Sequence, residues 1–237
     1  MQYKEIIRKL KSFYNPVNIA GMARYGINVK NAFGVPAPVL RRIAREHRRD
    51  HALALRLWAS GIHDAKGLAA LCDDPRQVSE EQMERWARDF DSWDVVDGCC
   101  NNLFRMTPHA YRKAVEWTRR DEEYVKRAAY VLMACLAVHD KTAPDSTFLR
   151  FLPLIKKGAR DERNFVKKAV NWALRQIGKR NPSLQKKAIE AAREIHALDS
   201  ESARWIASDA LRELTSKETT LLVRKKTLAA RSVTQKK

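Results

Sequence analysis

Asp121-Glu122-Glu123-Tyr124-Val125-Lys126-Arg127-Ala128-Ala129 and Asp161-Glu162-Arg163-Asn164-Phe165-Val166-Lys167-Lys168-Ala169-Val170 read as two copies of one segment. Acids come first, then an aromatic residue, a valine, two cations and small apolar residues. Tyr124 and Phe165 stand 41 positions apart. A period of this size with helical apolar spacing marks stacked two-helix repeats, each burying its face on the next. Each copy also sets two cations where a helix should begin. That end of the helix already carries the positive pole of the macrodipole, so each cation costs roughly 0.3–1 kcal/mol unless an anion is close. The same unfavourable choice made twice points to an anionic partner lying across stacked helix starts.

The rest of the chain fits this pattern. Ala, Leu, Arg, Lys and Glu dominate, strand-like alternation is absent, and eight Gly and eight Pro leave little material for β-turns. Helix breaks fall near Asn15-Pro16, Gly34-Val35-Pro36-Ala37-Pro38, Ser60-Gly61, Asp73-Asp74-Pro75, Thr107-Pro108, Ala143-Pro144-Asp145 and Asn181-Pro182. The expected fold is all-α, an α-solenoid of HEAT or armadillo-like repeats with a concave basic face. No linker divides the chain, so one domain is expected over 1–214. Residues 215–237 carry seven Lys or Arg against one acid, Glu218, and read as a partly mobile basic tail. A short helix over Leu221 to Ala230 is compatible with that stretch.

Forty-six Lys and Arg oppose 28 Asp and Glu, a formal charge of +18 over 237 residues. With 45% hydrophobic residues the chain is no disordered polycation. Such an excess calls for a polyanionic partner, nucleic acid first. A membrane surface fits less well, because the charge is spread along the chain. No apolar run approaches the roughly 18 residues of a transmembrane helix, and Met1 to Phe13 lacks the continuous apolar core of a signal peptide. Cys72, Cys99, Cys100 and Cys135 form no C-x-x-C pair and read as small apolar residues of a reducing compartment. Phosphate-loop, dinucleotide and zinc-protease motifs are absent, and nothing calls for a cofactor or a metal.

Three places break the helical pattern. On a wheel of 164–178, Val166, Ala169, Val170, Ala173 and Ile177 form the buried stripe, and Trp172 lies well off it between Lys168 and Arg175. It either packs on a neighbouring repeat or offers an aromatic surface in a basic groove. Helix 124–138 is apolar almost all round, yet Arg127 shares the side of Val131, Ala134 and Val138. It needs a bound anion or a buried carboxylate. In Ser92-Trp93-Asp94-Val95-Val96-Asp97, Ser92 suits an N-cap, and Trp93 and Asp97 lie one turn apart on one face. Asp97 borders the stripe of Val96, Cys100, Leu103 and Phe104. A carboxylate there can stabilise a developing cation, or it can simply pair with an arginine.

These residues carry a family resemblance. Met22-Ala23-Arg24-Tyr25, Gly34-Val35-Pro36 with Arg41-Arg42, Trp93-Asp94-Val95-Val96-Asp97, Lys126-Arg127-Ala128-Ala129, and Phe165-Val166-Lys167-Lys168-Ala169-Val170-Asn171-Trp172-Ala173-Leu174-Arg175 occur in this order. From about Met22 to Pro182 the chain resembles the bacterial AlkD-type DNA glycosylases, built of HEAT-like repeats. The resemblance implies that Trp93, Asp97, Arg127 and Trp172 line a DNA-binding cleft. Asp97 would be catalytic at the deoxyribose, the two Trp rings would border the lesion, and Arg127 would hold a phosphate. Lys126, Lys168 and Arg175 extend the contact to DNA. It further implies a monofunctional hydrolase that releases cationic N3- or N7-alkylated purines from duplex DNA, acting as a monomer in the bacterial cytoplasm at the nucleoid. Two departures stand out: some relatives have a tandem Trp where this chain has Ser92-Trp93, and His139 to Thr147 is longer than the equivalent loop. A non-catalytic HEAT-repeat DNA-binding protein, a protein–protein scaffold and an RNA-binding solenoid are the rival readings.

Overall fold

The computed structural model describes residues 2–234, with side chains as far as 226 and at 228. Among the described residues there are helices and no strand. The chain divides into two compact units, Met1–Ala110 and Tyr111–Lys237. The sequence led us to expect one domain over 1–214. The division falls just after Thr107-Pro108, which in sequence is indistinguishable from the other helix breaks.

The first unit holds α1 (Gln2–Lys11), α2 (Pro16–Arg24), α3 (Ala37–Glu46), α4 (His51–Ala59), α5 (His63–Cys72), α6 (Glu80–Arg88) and α7 (Trp93–Asn102). Helix α2 starts where Asn15 accepts from the amides of Val17 and Asn18, ahead of Pro16. Ser79 caps α6 in the same way through the Gln82 amide. Such caps contribute about 1 kcal/mol each. Gly34 sits at φ +73°, and a Cβ there would lie 2.7 Å from the Asn15 carbonyl oxygen. Only glycine permits this turn, which Asn18 Nδ2 ties to α2 by donating to the Gly34 carbonyl at 2.9 Å. The core stacks Trp58 on Trp86, with ring centres 4.0 Å apart, and sets Phe90 and Phe104 around them.

The second unit holds α8 (Ala110–Glu116), α9 (Glu123–His139), α10 (Asp145–Leu149), α11 (Phe151–Gly158), α12 (Asn164–Gly178), α13 (Pro182–His196), α14 (Glu201–Leu214) and α15 (Lys217–Thr234). Its centre is α12, packed against α9, α13 and α14. The repeat seen in the sequence is a repeat in space: Tyr124 and Phe165 stack at 5.7 Å. Helix α14 continues the series. Counting from the first residue of α9, α12 and α14, the buried positions coincide: Val125, Val166 and Ala203; Ala128, Ala169 and Ile206; Leu136, Ile177 and Leu214. Equal spacing of buried residues lets successive helices nest at a constant separation.

The basic segment expected from 215 onward includes a helix. Helix α15 runs from Lys217 to Thr234, beyond the 221–230 stretch the sequence suggested. It is anchored by buried Val223 and Thr219 and packs on α13 and α14. The last three positions, 235–237, lie outside the described residues. No described helix is long and apolar enough to cross a membrane. Cys72, Cys99, Cys100 and Cys135 are free thiols in the interior. Burial pushes the Cys72 thiol up to about 12 and the Cys99 thiol well above its ordinary range, so neither is a ready nucleophile.

Candidate functional site

Trp93 opens α7 because the backbone of Ser92 is extended, with φ −155° and ψ 141°. Ser92 stands at the cap position but does not cap. Its hydroxyl donates instead to Asp94 Oδ1 at 2.5 Å and accepts from the Asn28 amide at 3.3 Å. This corrects the capping role expected from the sequence. The other oxygen of Asp94 meets His63 Nε2 at 2.8 Å, and the His63 amide donates to the Asn31 carbonyl. Asn28 Nδ2 donates to Asp91 Oδ2 at 3.0 Å, and Lys66 Nζ donates to the Asp89 carbonyl at 2.9 Å. The turn before α7 is thus clasped to the loop after α2 and to the start of α5.

This clasp fixes Trp93. Its indole N–H donates to the Tyr25 carbonyl at 2.9 Å, which leaves the ring half-buried. Asp97 follows one turn later and is half-buried too. The apolar stripe beside it is as expected: Val96, Cys100, Leu103 and Phe104 are fully buried. A hollow of about 360 Å³ opens next to this helix, lined among others by Leu40, His63, Asp64, Asp94, Gly98 and Asn102. Burial opposes a charge on His63, but the hydrogen bond and charge of Asp94, with Asp64 and Asp91 behind it, outweigh burial and raise its pKa above 6.5. Burial likewise opposes the charge of Asp94, and the His63 bond outweighs it, so the Asp94 carboxyl is lowered. Both shifts favour the ionic form of the pair. Sequence reasoning missed His63: a lone histidine 31 positions from its carboxylate gives no local pattern.

In the second unit, Lys126 and Arg127 lie near the start of α9, and Lys168, Trp172 and Arg175 lie along α12. Arg127 is only 6% exposed, and its Nη1 donates to the Phe165 carbonyl at 2.6 Å. Lys126 Nζ is 3.5 Å from Asp161 Oδ2, and Arg163 pairs with the same carboxylate. Arg175 reaches Glu213 at 2.6 Å and Asp209 at 3.6 Å. Lys168 is exposed. Trp172 is half-buried. With the Gln176 amide turned so that its oxygen faces the indole, Trp172 donates to it at 3.0 Å.

Among the cations at the helix starts, Lys126 therefore has an anion from within the chain. Asp161 serves Lys126 and Arg163. Glu162 accepts from the Ser200 hydroxyl and the Ser202 amide at the start of α14. Part of the anionic requirement inferred from the repeat is met from within the chain, by the acids that open the second copy.

The profile of the DNA alkylation repair enzyme family matches residues 6–214. The chain belongs to the DNA alkylation repair family. Two relatives match over most of its length: the uncharacterized proteins Lin0241 of Listeria innocua and Lmo0209 of Listeria monocytogenes. They are 23% and 22% identical over 197 residues, covering 81% of this chain and 86% of each relative. A solved structure matches with a TM-score of 0.75 over 90% of this chain and 95% of its own, at 20% identity. It represents proteins described as related to the HEAT-like repeat DNA glycosylases, with affinity for branched DNA structures. The fold is thus of the HEAT-like repeat class that the sequence led us to expect.

Proposed function

We propose that this member of the family is a DNA glycosylase that hydrolyses the N-glycosidic bond of cationic N3- or N7-alkylated purines in duplex DNA. The observation that carries the reading is the Trp93–Asp97 pair, one turn apart on α7 and fixed at its start by the Tyr25, Asn28 and His63 contacts. An alkylated purine is already a good leaving group, so the barrier lies in the oxocarbenium-like sugar that develops as the bond breaks. The Asp97 carboxylate stabilises that sugar and orients the attacking water. Trp93 and Trp172 attract the cationic nucleotide through their ring faces, each worth roughly 0.5–2 kcal/mol. Lys168, Arg127, Lys126 and Arg175 serve the phosphates, with Lys168 the most available because the other three bond to protein groups. In this reading the protein acts as a monomer.

The test is single-turnover base release from duplex DNA containing 7-methylguanine, for the native chain and for Asp97→Asn. Release that survives the substitution unchanged removes Asp97 from the mechanism. A second reading, DNA binding without catalysis, draws support from the branched-DNA affinity described for the structural relative. It predicts no base release from the native chain and tighter binding to a junction than to a duplex.

A further inference from the structure

The fifth residue of α9 is Arg127, the fifth of α12 is Lys168, and the fifth of α14 is Trp205. The three helices share their buried positions, and α12 packs against both of the others. The fifth positions therefore form one row across three successive repeats. Where the first two repeats place cations, the third places a tryptophan that is 43% exposed. The ring has a cation beside it: Lys167 Nζ lies 5.4 Å from its centre. Arg204 is exposed one residue earlier. The helix start below the ring is already occupied, because Glu162 holds the Ser202 amide and the Ser200 hydroxyl. A phosphate therefore finds the Ser202 amide already taken, and what the third repeat offers is a ring face with Lys167 beside it.

A large apolar ring left in water at a position where the preceding repeats carry charge calls for a partner with a π-face or a sugar face next to an anion. A nucleotide combines these, and alternating aromatic and basic side chains is how sequence-tolerant strand binding is built. We propose that Trp205 is a nucleic-acid contact, stacking on a base or deoxyribose of a DNA strand whose adjacent phosphate lies at Lys167 and Lys168. The contact adds a third repeat to the DNA-binding face and rests on the reading that the α9–α12 face binds DNA. A base can stack on the ring only where it is unpaired, so a strand end, gap or junction at this point gains more than continuous duplex; a deoxyribose contact gains equally on both.

The test uses the full chain and fluorescence anisotropy with a labelled duplex and a labelled single-strand/duplex junction. Trp205→Ala should weaken junction binding by roughly five- to a hundred-fold, the range of base–aromatic stacking. Trp205→Phe should stay within about two-fold of native. The salt slope should not change, since no charge is removed. Quenching of 2-aminopurine at the junction, lost in Trp205→Ala, identifies the base as the stacked group; a loss of affinity equal on both substrates identifies the sugar. If Trp205→Ala or Trp205→Arg binds as tightly as the native chain, the stacking contact is wrong while the DNA-binding reading stands. A native chain that binds neither substrate overturns both.

Discussion

The start of α7 and the length of α12 solve opposite problems with similar residues. At α7 the chain spends its polar groups on immobilising one aromatic ring. Ser92, Asp94, His63 and Asn28 bond to one another across distant segments, the Tyr25 carbonyl accepts from the Trp93 indole, and the outcome is a fixed Trp93 with Asp97 a turn behind it. Along α12 carboxylates pair with some of the cations. Asp161 meets Lys126 and Arg163, and Glu213 meets Arg175 and Lys179. Preorganisation at the first place suits chemistry, where a displaced carboxylate forfeits rate. Managed charge at the second suits a long anion held by many weak contacts, where no single geometry is required. Under the proposed function the same basic composition would serve two purposes, with acids placed by the fold pairing with Lys126, Arg163 and Arg175.

The comparison breaks most visibly at Asp97. Asp97→Asn should lower single-turnover release of 7-methylguanine by at least about a hundred-fold, while duplex binding stays within a few-fold. Equal loss of rate and affinity would make α7 a binding element like α12. Next in size is the ring chemistry. Trp93→Ala or Trp172→Ala should slow release by roughly ten-fold, with Phe restoring part and Leu little. If Leu serves as well as Trp, the ring contributes shape and not charge attraction.

The cations of α9 and α12 allow a finer division. Lys168→Ala should reduce the slope of log affinity against log salt by about one unit, because Lys168 is exposed. Lys126→Ala should reduce it by less, since Asp161 already faces that ammonium. Arg127→Ala should reduce the slope least and also lower the melting temperature, because it removes the bond to the Phe165 carbonyl from the interior. Equal slopes for all three variants would mean that the internal carboxylates do not ration the charge.

The smallest effect concerns the clasp at α7. The raised His63 pKa makes its ion pair with Asp94 stabilising fully below about pH 6.5, the unfolded value, and progressively less as pH climbs through the folded value. The lowered Asp94 pKa requires, in turn, that the pair stays intact until pH falls below the ordinary carboxylate range. His63→Asn should therefore melt lower than the native chain near pH 6, and the gap should narrow toward pH 9. A gap that widens with pH would show that the contact is not ionic.

Much of this molecule was written in local pattern. The 41-residue echo foretold α9 and α12, and a helix expected over 164–178 occupies Asn164–Gly178. Asn15-Pro16 and Asn181-Pro182 marked helix starts because capping and the fixed φ of proline act within four residues. Trp93, Asp97, Arg127 and Trp172 stood out because each violates the apolar period of its own helix. Other features depend on residues far apart in the chain. His63 reaches Asp94, Asn28 reaches Asp91, and Arg127 reaches Phe165, and no local rule ties these positions together. Ser92 shows the limit: its sequence context favours a cap, yet Asp94 and Asn28 compete for the hydroxyl and win. The row that ends in Trp205 was equally hidden, because the third repeat keeps the buried positions of the first two but not their residues. Periodicity along one helix is set by the backbone and is legible in sequence. Which carboxylate neutralises which cation, and which ring remains in water, is set by distances that exist only after the helices have packed.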